Sequence, residues 1–391
     1  MKPLNNTTHP LESLLQQHCP NGVEFKELGE LCKIQTGKLN ANAKVENGKY
    51  PFFTCDEIPY SINTYAFDCE AILISGNGSK VGHIHFYKGK FNAYQRTYIL
   101  SDFSSIISKF LFFILNAFLK SYILTNCKKA SIPYITLPML EKFKIPIPPL
   151  EIQHKIVEIL DAFTELEAEL EAELEARLKQ YHYYRNKLLS HDELENRTAK
   201  SRNDSDPTPL VPYVRLGEAC EILDNLRKPI TKSKRTQGIY PYYGANGIQD
   251  YVNEYIFDGD FLLMGEDGSV INKDNSPVLN WVSGKFWVNN HAHILKEKSN
   301  TTNLRFVFFY LQTCDVSSIV RGVPPKINQQ NLKTIQIPLP PLAVQNEIVE
   351  LLDKFDTLTN DLTSGIPAEI EARKKQYEYY RERLLSFIAK D

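Results

Sequence analysis

The sequence predicts an α+β protein: two globular mixed α/β domains separated by two long helices packed as an antiparallel coiled coil, with a pseudo-twofold internal repeat. Three observations predict it. One plan occurs twice, at offsets that drift from 188 to 196 residues. Each copy changes at a Pro-Pro-Leu from short β-type runs to helical periodicity. The chain has 391 residues, the length of two domains at roughly 100–200 residues each. The expected segments are a first β-rich domain over 1–149, a helix and linker over 150–206, a second β-rich domain over 207–341 and a second helical segment over 342–391.

The repeat is read directly. Val23-Glu-Phe-Lys-Glu-Leu-Gly-Glu30 answers Val211-Pro-Tyr-Val-Arg-Leu-Gly-Glu218, and Tyr50-Pro-Phe-Phe53 answers Tyr240-Pro-Tyr-Tyr243. Phe67-Asp68 answers Phe257-Asp258, and Gly89-Lys-Phe91 answers Gly284-Lys-Phe286. Ile145-Pro-Ile-Pro-Pro-Leu150 answers Ile337-Pro-Leu-Pro-Pro-Leu342, and Lys179-Gln-Tyr-His-Tyr-Tyr-Arg185 answers Lys375-Gln-Tyr-Glu-Tyr-Tyr-Arg381.

In each β segment a short apolar strand, Ala71–Ile74 or Phe261–Met264, ends at a Gly turn, 75–78 or 265–268. A buried helix is expected around Phe110–Leu119 and around Leu304–Leu311. The proline pairs end these segments and give a rigid extended lead into the helices. From Glu151 to about Ser190 apolar residues recur at three and four. Four tetrads follow from 164, with Leu166, Leu170, Leu174 and Leu178 as a stripe and glutamates beside it. Ala, Leu and Glu favour helix, and some 40 residues at ~1.5 Å each make a rod of about 60 Å. The second helix starts near Ala343 and breaks at Ser364-Gly-Ile-Pro367, where Pro367 suits a first turn. An apolar stripe needs a partner, so the two helical segments are expected to pack on each other.

Composition is ordinary, with 42% hydrophobic and 24% charged residues. That content supports sizeable cores. No apolar run reaches the ~18 residues of a membrane span, and the N-terminus lacks a signal-peptide apolar region. The expected location is the cytoplasm. The seven cysteines include no Cys-x-x-Cys, which points to reduced, mostly buried thiols and neither a disulfide framework nor a thiolate zinc site.

A formal charge of −2 hides alternation: the net charge is +5 over 1–150, −6 over 151–206, +2 over 207–341 and −3 over 342–391. The basic segments are the candidate phosphate-facing surfaces. Catalytic signatures are missing: no phosphate-binding P-loop, no nucleophile elbow and no His-Glu-x-x-His pair. Ser75-Gly-Asn-Gly-Ser-Lys-Val-Gly82 reads as a tight turn, or as a turn that also approaches a phosphate, and its spacing is not that of a dinucleotide-binding loop. His83-x-His85 and His291-x-His293 each place two imidazoles on one strand face, with no carboxylate or Cys at metal spacing. No catalytic, cofactor or metal residue is assigned. The candidate DNA-binding residues are Lys38, Lys44, Lys80, Lys128 and Lys129 in the first β segment and Arg227, Lys228, Lys232, Lys234 and Arg235 in the second. Tyr94-Gln95-Arg96 and Asn289-Asn290-His291 add matching turns after Gly-Lys-Phe. Arg and amides read base edges, while Lys mostly positions on phosphate.

Two instances of I-P-[IL]-P-P-L-x-x-Q-x-x-I-V-x-[IL]-L-D-x-F, each followed by a helix ending K-Q-Y-x-Y-Y-R-x-[KR]-L-L-S, run from Ile145 to Ser190 and from Ile337 to Ser386. The chain thereby resembles the specificity subunit of type I restriction-modification systems over essentially its whole length. Gly322-Val-Pro-Pro-Lys-Ile-Asn328 resembles that family's loop before the last strand, which adds Lys326 as a candidate, although Pro stands where a polar residue is more usual. The resemblance implies that each β-rich domain is a target recognition domain reading half of a split double-stranded DNA site. The helical segments, with Leu166, Leu170, Leu174, Leu178, Tyr181, Tyr184, Tyr377 and Tyr380 as candidate partner residues, would set the gap and dock two methyltransferase subunits. Those would carry S-adenosylmethionine and methylate adenine. Two restriction subunits would add ATP- and Mg-dependent translocation and cleavage, and this chain would hold no active site or cofactor. A non-catalytic scaffold that gathers protein partners without reading DNA is the rival; salt-sensitive DNA binding separates the two. A self-contained methyltransferase is a second rival, but no Asn/Asp-Pro-Pro-aromatic motif is present.

Overall fold

The computed structural model describes residues 17, 19–20, 22–126, 133–201, 211–298 and 300–387. They form two compact units. Unit one holds the described residues up to Glu171 and those from Ile370 onward; unit two holds Ala172–Glu369. The division cuts through both helical segments, so each unit owns one β-rich domain and parts of both helical repeats.

In unit one, β1 (Glu24–Glu27), α1 (Leu28–Leu31) and β2 (Lys33–Thr36) lead into β3 (Tyr50–Phe53), β4 (Tyr60–Ile62), β5 (Phe67–Ser75), β6 (Ile84–Ala93) and β7 (Thr97–Ser101). Helices α2 (Ser108–Asn126) and α3 (Leu137–Glu141) and strand β8 (Lys144–Ile147) follow. The six-stranded sheet has the order β2-β7-β5-β6-β3-β4. Helix α4 (Leu150–Leu188) crosses into unit two, where α5 (His191–Ser201) precedes β9 (Tyr213–Arg215), α6 (Leu216–Ala219) and β10 (Cys220–Ile222). Strands β11 (Gln237–Gly244), β12 (Gly247–Val252), β13 (Phe257–Gly265), β14 (Leu279–Val288) and β15 (Ala292–Glu297) complete the second sheet. Its order, β10-β15-β13-β14-β11-β12, repeats the first strand for strand. Helices α7 (Leu304–Leu311) and α8 (Gln329–Lys333), strand β16 (Gln336–Pro338), α9 (Leu342–Asn360) and α10 (Ile366–Leu385) end the chain.

The repeat extends to side-chain geometry. Phe67 and Phe91 face each other in register and stack at 5.1 Å with rings 19° apart. Phe257 and Phe286 do the same at 5.4 Å and 21°. Such cross-strand aromatic pairs fix register, because a one-residue slip would turn every side chain to the other face.

The Ile-Pro-[Ile/Leu]-Pro segments are more than extended leads. They are strands β8 and β16, paired antiparallel with β1 and β9, so each domain is closed by its own first and last strands. Pro is tolerated in these short two-stranded ladders because each strand has only one partner. Helix α2 is longer than the expected Phe110–Leu119. By length and composition it could cross a membrane, but Phe110, Leu111, Phe113, Ile114, Leu115, Leu119 and Ile123 are buried in the core of unit one.

Each domain is bolted to the helix that follows it by the same two devices. The motif glutamines Gln153 and Gln345 are fully buried. Gln153 accepts from the Ile107 N–H at 2.8 Å and donates to the Pro148 carbonyl at 2.8 Å. Gln345 accepts from the Asn303 N–H at 2.8 Å and donates to the Pro340 and Thr301 carbonyls at 2.7 and 2.8 Å. Beside them the motif aspartates hold a cation that lies over aromatic rings. Lys109 pairs with Asp161 at 3.2 Å over Phe86, Phe112 and Phe113. Arg305 pairs with Asp353 and Asp356, both at 2.7 Å, over Trp281, Phe308 and Phe309. Truncating Gln345 to Ala orphans a buried N–H and two carbonyls, so it is expected to cost about 1–3 kcal/mol. Urea unfolding followed by tryptophan fluorescence measures this, since both tryptophans, Trp281 and Trp287, lie in unit two. A midpoint equal to that of the parent chain would refute the clamp.

The helical pairing is also repeated. In unit one Phe163 packs on Tyr380 at 5.4 Å and on Tyr377 at 6.3 Å, and Lys374 bridges Glu167 and Glu171 at 3.2 and 3.1 Å. Positions rise along α4 as they fall along α10, which makes this pair antiparallel. In unit two Phe355 packs on Tyr184 at 5.6 Å and on Tyr181 at 6.5 Å. The break between α9 and α10 falls where Gly365 and Pro367 predict it: α10 starts at Ile366, with Pro367 in its first turn. A Cβ on Gly365 would lie 2.4 Å from the Thr357 carbonyl oxygen.

Candidate nucleic-acid interface

Three loops meet at one end of each sheet, held by a shared set of backbone hydrogen bonds. In unit one the turn after β5 donates from Gly76 N–H to the Arg96 carbonyl at 2.9 Å, and accepts at its own carbonyl from Ile135 N–H at 2.8 Å. Asn77 and Tyr134 form a β-bridge beside it. In unit two Glu266 N–H donates to the His291 carbonyl at 2.8 Å, Ile327 N–H donates to the Glu266 carbonyl at 2.8 Å, and Asp267 bridges Lys326. The β6–β7 turn is anchored by Tyr94 N–H to Phe53, and the β14–β15 turn by Asn289 N–H to Tyr243, at 2.9 and 3.0 Å. A further bond is conserved in place but not in chemistry. The Ile135 carbonyl accepts from the Tyr98 hydroxyl at 2.9 Å, and the Ile327 carbonyl lies 2.8 Å from His293 Nε2. The frame is therefore constant, while its side chains differ: half-buried Asn77 with exposed Arg96 and Tyr134, against half-buried Asp267 with exposed His291 and Lys326.

In unit one Arg96 and Gln95 are exposed at the turn and Tyr94 is half-buried. The Cys55 thiol, 3.1 Å from Asn77 Oδ1, packs into this turn. Lys38 is exposed, two residues before the Asn40 loop, and Leu39 accepts from Gln95 N–H at 2.9 Å. Lys44 lies over the Tyr60 ring at 4.0 Å, and Lys80 is paired with Glu57 at 2.6 Å. Lys128 and Lys129 lie outside the described residues, as does Cys127. Sequence reasoning missed Tyr134 and Asn77, because only the fold shows them matching Lys326 and Asp267.

In unit two the arginines have structural partners. Arg227 binds Glu266 and the Ala292 carbonyl (2.9 Å) and donates to Asp224 and Asn290 carbonyls. Arg235 holds Asp250 at 3.1 Å and the Ile230 carbonyl at 3.1 Å, and lies over the Tyr242 ring. Asn289 is buried and turned inward, with Gln249 and the His291 N–H as partners. These three candidates shape the loops from within. Lys228, Lys232, Lys234, Asn290 and His291 are exposed, and the Lys228 carbonyl accepts from Trp287 Nε1 at 2.5 Å. Lys326 reaches Glu266 at 3.0 Å.

The expectation that His291 and His293 share a strand face is corrected. His291 is a turn residue, with Nδ1 2.5 Å from Asp267. His293 is on β15 and fully buried, with Nδ1 2.7 Å from Asp224 and 3.8 Å from Glu266. Carboxylates absent from the local sequence thus converge on this imidazole. The donor set does not suit a metal ion. Both ring nitrogens of His293 face protein oxygens, and Glu266 already holds two cations, Arg227 and Lys326. Burial opposes ionisation of Asp224 and Glu266, but His293, Arg227 and, at Glu266, Lys326 outweigh it and hold both carboxyls below their ordinary range. In unit one His83 and His85 contact each other ring to ring at 4.5 Å.

Of the helical candidates, Leu166, Leu170, Leu174 and Leu178 are half-buried. Tyr181 is buried, and Tyr181, Tyr184, Tyr377 and Tyr380 serve the aromatic contacts between helices inside each unit. Tyr183 and Tyr379 of the same motif are the most exposed, at 61% and 55%, and Tyr184 is exposed at 37%. The described cysteines are free; Cys32 and Cys220 are buried and Cys19, Cys55, Cys69 and Cys314 half-buried.

Two equivalent domains, each presenting one conserved frame with variable side chains, define a protein built for two related recognition tasks. The chain belongs to the family of the type I restriction modification DNA specificity domain, which matches it twice, at residues 20–180 and 211–372. A putative type I restriction enzyme specificity subunit of Haemophilus influenzae is 44% identical over 176 residues, 44% of this chain and 45% of that one. The specificity subunit of the type I restriction enzyme EcoDI of Escherichia coli is 29% identical over 382 residues, 88% of this chain and 85% of that one. The crystal structure of a type I restriction-modification S subunit from M. genitalium shares the fold, with a TM-score of 0.63 at 18% identity, covering 100% of this chain and 99% of that one.

Proposed function

We propose that the chain is the DNA sequence-specificity subunit of a type I restriction-modification complex and that it reads a bipartite, gapped duplex target, one half-site per unit. The observation that carries this reading is the doubled frame: the same hydrogen bonds present Asn77, Arg96 and Tyr134 in one unit and Asp267, His291 and Lys326 in the other. Family membership favours it over a scaffold that reads no DNA. Exposed Lys38, Lys44, Lys228, Lys232 and Lys234 suit phosphate contacts beside the frame. In this reading the chain positions and its partners react. Two methyltransferase subunits carry S-adenosylmethionine and methylate adenine, and two restriction subunits use ATP and Mg. Such a complex works on DNA in the cytoplasm.

The test is a genome-wide map of adenine methylation, with the chain co-expressed with its methyltransferase subunit in a host free of other modification. A two-part motif with an unread gap is expected. A continuous motif, or an assembled complex that methylates nothing, would overturn the reading.

A further inference from the structure

The turn Tyr94-Gln95-Arg96 is held on every side. Tyr94 N–H donates to Phe53, Gln95 N–H to Leu39 and Thr97 N–H to Tyr94, each at 2.9 Å, while the Arg96 carbonyl accepts from Gly76 at 2.9 Å and from the Cys55 thiol at 3.6 Å. Gly37 and Gly76 make this closeness possible: a Cβ would lie 2.0 Å from the Ala93 oxygen in one case and 2.4 Å from the Arg96 oxygen in the other. From this fixed backbone Arg96 extends into solvent. Of the three candidate arginines, Arg227 and Arg235 are bound within unit two. Among the described residues, only Arg96 of these three has no hydrogen bond or ion pair from its guanidinium.

We infer that Arg96 reads a guanine of the first half-site, donating from its guanidinium to N7 and O6 in the major groove. The inference rests on the reading of unit one as a DNA-recognition unit, and names the residue, the base and the atoms. Two arguments carry it. A fixed backbone with a free planar fork is pre-organised for bidentate readout, which loose lysines are not. The equivalent turn position in unit two carries His291, on the same frame. Phosphates are alike under both units and give no reason for the residue to differ; bases are not alike and do.

The test uses the full chain in complex with its methyltransferase subunits. Methylation maps first supply the half-sites. Each guanine of the first half-site is then replaced, one at a time, by 7-deazaguanine, which lacks the N7 acceptor. One such replacement is expected to weaken binding about tenfold in the parent complex and to have no further effect with Arg96→Ala. Arg96→Ala is expected to weaken binding to the unmodified target by roughly five- to 150-fold. It should also relax the methylation motif at that one position, with the second half-site unchanged. Arg96→Gln, which keeps a polar but shorter and uncharged side chain, serves as a second variant, and unchanged thermal melting shows that both fold. A uniform loss of affinity on all sequences, with every 7-deazaguanine silent, would mean a phosphate contact and overturn the inference. So would a first half-site without guanine. A parent map with no two-part motif would overturn the reading of the units and this inference together, whereas a two-part motif insensitive to Arg96 would overturn this inference alone.

Discussion

Removal of one Ala-Glu-Leu-Glu tetrad, residues 168–171, is expected to shorten the unread gap of the target by about one base pair and to leave both half-sites unchanged. Four helical residues contribute ~6 Å of rise and about 40° of phase beyond a full turn. One base pair contributes ~3.4 Å and roughly 34–36° of twist. The phase matches closely and the rise in order of magnitude. The residues of the aromatic helix contacts all lie outside the deleted tetrad. Phe163 with Tyr377 and Tyr380 precedes it, and Tyr181 and Tyr184 with Phe355 follow it. The next tetrad, Ala172-Glu-Leu-Glu175, is identical. After deletion Leu174 takes the place of Leu170, and Glu175 takes the place of Glu171 opposite Lys374. Methylation mapping of the deleted chain decides the matter. An unchanged gap, or a changed half-site, would sink the idea.

The second large effect is expected at the charged network under the frame of unit two. Asp224 accepts from the Ile294 N–H at 3.1 Å and from Gln329 at 3.0 Å, and it faces His293 at 2.7 Å and Arg227 at 3.7 Å. Asp224→Ala leaves these buried groups without their acceptor, and breaking a buried pair in this way costs about 3–5 kcal/mol. Tryptophan fluorescence during urea unfolding reports it. Recognition of the second half-site should fall with it, while the first half-site persists. The network also contributes to the acid sensitivity of unit two. Asp224 and Glu266 have depressed carboxyl pKa values in the folded state. Their contribution is therefore complete above the ordinary carboxylate range and is lost as pH falls below about 4. Asp224→Asn should flatten that part of the pH profile. A wild-type-like unfolding midpoint for Asp224→Ala would show that the network does not hold the frame.

How much of this was legible in the chain itself depends on the range of the interaction. The span of α4 follows from its Leu and Glu tetrads, and the break before α10 from Gly365 and Pro367; both are local chemistry. The repeat announced two equivalent domains, and the strand order bears it out. The candidate residues were less legible. Lys38, Gln95, Arg96 and His291 are exposed, but Arg227, Arg235 and Asn289 have the same residue types and hold partners inside the domain. No local pattern separates the two groups, because Asp250 and Glu266 lie 15 and 39 residues away from their arginines.

The sequence by itself determined the long helices, the break between the last two, the doubling and the family, since propensity, apolar period and turn chemistry act over a few residues. Only the tertiary structure decided which part of each helix belongs to which unit, what the motif's Gln153, Gln345, Asp161 and Asp353 hold, and that Gly76 and Glu266 stand at one and the same place. Those matters rest on hydrogen bonds and ion pairs between segments tens of residues apart, such as Gln345 with Asn303 and Lys109 with Asp161. Their energy exists only once folding has brought the partners within reach and removed the water between them.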